Sequence, residues 1–129
     1  MPIYTKTGDE GKTSLLSGER TTKDCITLRA VGEVDELNAS IGVVIAEFRS
    51  INKFFQLTKF LQTTQCNLFR IGAELAALQT DLAEKGQIKL VDVLHIKTLE
   101  KIMDRITVQL PELNNFILPG GSKAGAYLH

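Results

Sequence analysis

The chain has 129 residues, with 15 basic and 15 acidic side chains and a formal net charge of zero. That length supports one domain around a single hydrophobic core, and the balanced charge leaves no electrostatic footprint for nucleic acid or an anionic membrane. The apolar runs are short, as in "IGVVIA" at 41–46, no basic leader opens the chain, and Cys25 and Cys66 match no CxxC or Cys/His metal spacing. The expectation is a soluble, unexported, cytoplasmic protein with free thiols and no structural metal site.

Residues 1–24 are rich in Gly, Thr, Lys and Asp and show no sustained hydrophobic period, which reads as an irregular arm. Within it, "TKTGDEGKTSLLSG" at 5–18 raises the question of a nucleotide-binding P-loop. With Gly11, Lys12 and Thr13 as the end of such a loop, its first glycine should stand at position 6, where the chain has Lys6. A P-loop also follows a buried strand, and only "MPIY" precedes this stretch. The Walker reading therefore fails. What remains still suits an anion, because glycines let backbone N–H groups converge on phosphate oxygens while Lys and Thr add charge and hydroxyl donors. The same composition also suits a solvated arm without a ligand.

Beyond the arm the pattern turns helical. From about Ile26 to Ser50, Val31, Val34, Leu37, Ile41, Val44 or Ile45, and Phe48 form one stripe in steps of three and four. A second helix is expected from about Lys53 to Leu78 through Leu57, Phe60 or Leu61, Thr64, Leu68, Ile71 and Leu75. After the polar connection "QTDLAEKGQIKL", a third is expected from about Val91 to Leu110, ended by Pro111. No strand of convincing alternation is seen, so the fold expected is an all-α, up-and-down bundle of long antiparallel helices. "GGSKAGAYLH" reads as the first turns of a further helix, and the stripes would be better buried in a four- or five-helix bundle, with the last helix absent or supplied by a partner subunit.

Gly32, Asp35, Asn38 and Gly42 recur at helical spacing beside the first stripe. A helical glycine costs about 1 kcal/mol relative to alanine, so two of them suggest close approach of a backbone or a ligand. Asp35 and Asn38 then need partners such as an arginine or a ligand hydroxyl, or else they form a partly solvated helix edge. Phe116, in "NNFILPGG", reads first as a plug for the end of the bundle. His95 reads as a surface or core-edge histidine, and His129 carries no assignable role. No Ser/His/Asp or Cys/His set suggests covalent catalysis.

Taken together, "YTKTGDEGKTSLLSGER", "AVGEVDELNASIG", "QCNLFRIGAELA" and "LPELNNFILPGG" resemble the ATP:cob(I)alamin adenosyltransferases of the propanediol-utilisation type, over essentially the whole chain. The resemblance implies a five-helix, ferritin-like bundle, residues 1–129 forming one domain with 1–24 as its nucleotide-binding arm. It implies a homotrimer with ATP and corrinoid bound between subunits, and transfer of the 5′-deoxyadenosyl group from ATP to cob(I)alamin with triphosphate as the leaving group. Mg²⁺ would assist.

By motif match, Thr5, Lys6, Thr7, Gly8, Gly11, Thr13 and Lys23 would line the triphosphate site. The resemblance gives Lys12 no secure role. Asp35 would pair across the interface with a C-terminal arginine, Asn38 lies one turn further along the same face, and Phe116 would pack beneath the corrin ring and displace the lower axial ligand. A reductase would deliver the electron to cobalt, and an adenosylcobalamin-dependent enzyme would take the product. The family's arginine-rich C-terminal helix has no counterpart before His129. The expectation is therefore a fragment of a longer protein, with a naturally truncated and catalytically impaired corrinoid or ATP carrier or sensor as the alternative.

Overall fold

A computed structural model describes residues 4–49, 51–78 and 80–129. In chain order these form a two-stranded ribbon, β1 (Lys12–Ser14) and β2 (Arg20–Thr22), then helices α1 (Ile26–Phe48), α2 (Phe55–Ala76), α3 (Val93–Thr107) and α4 (Lys123–Leu128). Residues 1–3, and Ser50 and Gln79, which enter the expected helix limit and the polar connection, lie outside the described residues.

The ribbon corrects two expectations, that the arm is irregular and that the fold is all-α. Its strands are antiparallel, pairing Lys12 with Thr22, Thr13 with Thr21 and Ser14 with Arg20. Thr13 and Thr21 face each other and are half-buried, a cross-strand pair that favours extended backbone. Three residues per strand are too few for a period of two to show in sequence. The turn is closed by Gly18, whose φ of 81° suits glycine and whose N–H donates to Leu15 O at 2.9 Å.

Helices α1 and α2 form an antiparallel hairpin through a 3-10 turn at Asn52–Phe54. Phe48 meets Phe54 beside that turn, with ring centroids 4.4 Å apart, while Asn38 bonds Gln65 midway along both helices. The expected stripe does form the core: Ile41, Val44 and Ile45 from α1 pack with Leu61 and Leu68 from α2, and Val44 is fully buried. α1 ends at Phe48 and α2 at Ala76, the latter two residues before its expected limit, and the 3-10 turn takes over the start of the second.

Ala124 of α4 seals this core, and Ser122 caps α4 by accepting from Gly125 N–H at 3.0 Å. Lys123 Nζ donates to Glu47 Oε1 at 2.7 Å, which ties α4 to α1 and holds the ammonium above its ordinary pKa. Helix α3 reaches α2 through His95 and Arg70 and buries none of its residues. It ends at Thr107, and tightened turns bonding Gln109 to Ile106 and Leu110 to Thr107 carry the chain to Pro111.

Asp92 caps α3, whose first residue, Val93, stands two residues later than the expected start at Val91. Its Oδ1 accepts from Leu94 N–H at 2.9 Å and His95 N–H at 3.2 Å. His95 also reaches α2, with Nε2 2.6 Å from Arg70 Nη1. A guanidinium only donates, so Nε2 accepts and the ring proton sits on Nδ1, 2.7 Å from Asp92 Oδ1. The hydrogen bond from His95 is the main reason the Asp92 carboxyl is held below its usual pKa, with the N–H donors of His95 and Leu94 adding to it.

A lowered folded pKa means that the stabilising contribution of Asp92 is present above the ordinary carboxylate pKa and is lost only as pH falls through the lower folded value. The expected result is an Asp92 carboxyl titration, followed by NMR, with its midpoint below that of a free aspartate. Asp92→Ala should speed exchange of the Leu94 and His95 amides. A midpoint at the free value would contradict the cap.

Candidate functional site

The arm folds into consecutive turns that gather most of the residues expected there. Lys6 has a φ of 59° and Gly11 one of 76°. Asp9 N–H donates to Lys6 O at 3.4 Å, Gly11 N–H to Gly8 O at 3.2 Å and Lys23 N–H to Gly11 O at 2.8 Å. Thr5 and Thr7 share a hydroxyl hydrogen bond of 2.9 Å. Gly8 is the crowded point, because a Cβ there would stand 3.1 Å from Lys12 O and 3.2 Å from Lys23 Nζ. The absent side chain leaves room for the Lys23 ammonium directly against the loop backbone. Thr13 stands in β1, half-buried opposite Thr21 and next to Lys12, whose carbonyl lies at this corner. A loop of bent backbone carrying an ammonium is a setting for phosphate oxygens.

Asp35 and Asn38 border a groove between α1 and α2, lined also by Gln65, Cys66 and Phe69, with a volume of about 450 Å³. Asp35 is exposed, whereas Asn38 is 5% exposed and belongs to the interior rather than to a solvated helix edge. Its amide donates to Gln65 O at 3.4 Å, and Gln65 Nε2 donates back to Asn38 O at 3.0 Å. Gly42 stands beside this exchange, where a Cβ would lie 3.4 Å from Gln65 Nε2, an ordinary contact. Gly32 faces open space beside an adjoining groove of about 370 Å³ that also runs past Asp35, Asn38 and Phe69. Asn38 Oδ1 is buried without a hydrogen-bond partner among the described residues, an acceptor that burial makes costly to leave unpaired.

Phe116 stands in the loop between α3 and α4 at 108% exposure, with Ile117 and Leu118 also exposed. It does not plug the bundle as the sequence alone first suggested. Among the described residues, no hydrogen bond or ion pair joins the arm, the Asp35 groove and Phe116. The chain thus presents three separate surfaces: a phosphate-suited corner, a polar groove with an orphan acceptor, and an exposed aromatic.

Three participants escape the sequence reading. Arg20 Nη2 donates to Thr7 O at 2.8 Å, and Gln65 completes the exchange with Asn38, each contact spanning a separation that local periodicity does not report. The third is the Arg70, His95 and Asp92 chain between α2 and α3, for which the spacing of Asp92 three residues before His95 was the available signal.

The chain is thus a helical protein with a glycine-rich arm and a separate exposed aromatic. The family model described as cobalamin adenosyltransferase matches residues 3–129, and the chain belongs to that family. It is 43% identical over 129 residues to the corrinoid adenosyltransferase of Bacillus subtilis (strain 168), covering 100% of this chain and 64% of that protein. It is 39% identical to the corrinoid adenosyltransferase MMAB of Homo sapiens, covering 98% of this chain and 50% of the relative. The chain therefore spans about half to two thirds of the length of these relatives.

Among solved structures, a Phe-to-Ala variant of the PduO-type ATP:corrinoid adenosyltransferase from Lactobacillus reuteri, complexed with cobalamin and ATP, superposes with a TM-score of 0.85 at 32% identity. The superposition covers 99% of this chain and 68% of that one. An Arg-to-Lys variant of the same protein complexed with ATP gives a TM-score of 0.80 at 34% identity, covering 98% and 67%.

Proposed function

We propose that this chain carries the adenosyl-transfer site of an ATP:corrinoid adenosyltransferase. The electron pair of cobalt(I) in the reduced corrinoid substrate attacks C5′ of ATP, the cobalt–carbon bond forms, the C5′–O bond breaks, and the pair departs with inorganic triphosphate. The protein needs no nucleophile of its own. Its tasks are alignment of the two substrates and stabilisation of charge on the leaving group. The observation that carries this reading is the corner where Lys23 Nζ lies against Gly8, within a chain that matches the family from residue 3 to its end. The solved neighbours complexed with cobalamin and ATP support the same substrates.

In this reading Thr5, Lys6, Thr7, Gly8, Gly11, Thr13 and Lys23 hold the triphosphate. Asp35 takes an arginine as partner, Asn38 Oδ1 accepts from a donor of the substrate or of that partner segment, and Phe116 covers the lower face of the corrin. Mg²⁺ fits as the counter-ion of ATP, lowering the charge of the leaving group. Among the described residues no three His, Cys, Asp or Glu side chains converge on a metal, so the triphosphate oxygens would be its main ligands.

The separation of the three surfaces within one chain supports sites shared between subunits of a homotrimer. The unburied α3 supports a larger, five-helix bundle whose remaining faces are covered by a further helix or a neighbour. A reductase and an adenosylcobalamin-dependent enzyme belong to the same proposal. No helix among the described residues is long and apolar enough to cross a membrane.

The test is anaerobic incubation with ATP and chemically reduced cob(I)alamin, which should yield adenosylcobalamin and triphosphate in equal amounts. Sedimentation should show a trimer. Release of phosphate or pyrophosphate in place of triphosphate would overturn the reaction, and a compact monomer at micromolar concentration would overturn the shared site.

A further inference from the structure

We infer that Arg20 is a positioning residue for the leaving group, acting by fixing the orientation of the Thr7–Gly8 peptide. The inference rests on the triphosphate reading of the arm and names a residue that neither the motif match nor the family resemblance assigned. Arg20 lies at the start of β2, opposite Ser14, and its guanidinium crosses to the loop to donate to Thr7 O at 2.8 Å. In a trans peptide the carbonyl and the following N–H point in opposite directions. Drawing Thr7 O toward Arg20 therefore turns Gly8 N–H away from it.

That N–H has no acceptor among the described residues, although Asp9, Gly11 and Lys23 N–H groups nearby are all satisfied. Lys23 Nζ packs against the same glycine. The guanidinium thus holds open a donor that would otherwise rotate toward a neighbour or water, in a corner that already has an ammonium. A chelating pair of a backbone N–H and an ammonium is what a terminal phosphate oxygen recognises. The ribbon supplies the rigidity, because β2 is locked to β1 by its ladder and by the closed turn at Gly18.

The experiment measures binding of inorganic triphosphate to the chain by calorimetry, together with the amide proton shift of Gly8 by NMR. Wild type should bind triphosphate and move the Gly8 amide downfield. Arg20→Ala should weaken triphosphate binding about tenfold, the loss expected for one charge-assisted contact, and abolish the Gly8 response. Cobalamin affinity and melting temperature should stay unchanged. Arg20→Lys, which keeps a donor, should restore most of both signals.

If Arg20→Ala binds triphosphate as wild type does, the positioning role is overturned. If binding weakens while the Gly8 response persists, Arg20 acts as a direct charge and the role is again overturned. A wild-type chain that binds neither triphosphate nor ATP would instead overturn the function on which the inference rests.

Discussion

Gly8→Val should weaken binding of ATP and of inorganic triphosphate by about a hundredfold, the equivalent of losing two charge-assisted hydrogen bonds, while leaving far-UV circular dichroism unchanged. Even a single Cβ at this position would stand 3.1 Å from Lys12 O and 3.2 Å from Lys23 Nζ. The lysine can swing away, but Lys12 O is backbone at the start of β1, whose place is set by the register with β2. The branched side chain therefore expels the ammonium and also shields the Gly8 N–H. The core residues Ile41, Val44, Ile45, Leu61, Leu68 and Ala124 all lie outside the arm, so the melting temperature should hardly move. Triphosphate affinity equal to wild type would show that the phosphate groups bind elsewhere. A parallel fall in melting temperature would show that the arm is structural.

The contrast between helices and arm explains what was legible in the sequence. Helices α1 and α2 run for 23 and 22 residues, long enough for the stripe through Ile41, Val44, Leu61 and Leu68 to repeat several times. Their burial follows from that repetition. The ribbon has no such redundancy. Its geometry comes from Lys23 N–H reaching Gly11 O and Arg20 reaching Thr7 O, contacts across the ribbon that composition does not encode.

Asn38 shows the same limit from another side. Its spacing placed it at the edge of the stripe, and the reciprocal bonds that allow its burial come from Gln65, 27 positions away. The glycines of α1 were legible only as a question. Gly42 has a neighbour in Gln65, while Gly32 opens onto a groove. The candidate site residues were found through motif resemblance, and the structure brings those of the arm together while leaving Asp35 and Phe116 apart from them.

Phe116→Ala should leave ATP affinity and melting temperature nearly intact and reduce adenosyl transfer to cobalamin by about a hundredfold, a loss confined to the transition-state side of the corrinoid step. The exposed ring makes this a sharper test than the sequence allowed. Deleting a buried phenylalanine costs about 3–5 kcal/mol through lost transfer and a cavity, but Phe116 at 108% exposure leaves no cavity behind. Its neighbours Ile117 and Leu118 are exposed as well, so the loop offers an apolar surface to a flat ligand rather than to the bundle.

Under the proposed function the ring occupies the space of the lower axial ligand, and its removal lets that ligand return, making cobalt harder to reduce to cobalt(I). The same variant assayed with a corrinoid lacking the lower base has nothing to displace, so its rate should fall by no more than about threefold, the size of a lost peripheral contact. The measurement is a pair of anaerobic rates, one for each corrinoid, with thermal unfolding alongside. Equal losses with both corrinoids, accompanied by a lower melting temperature, would make Phe116 a packing residue in the assembled protein and remove the cobalt-specific role.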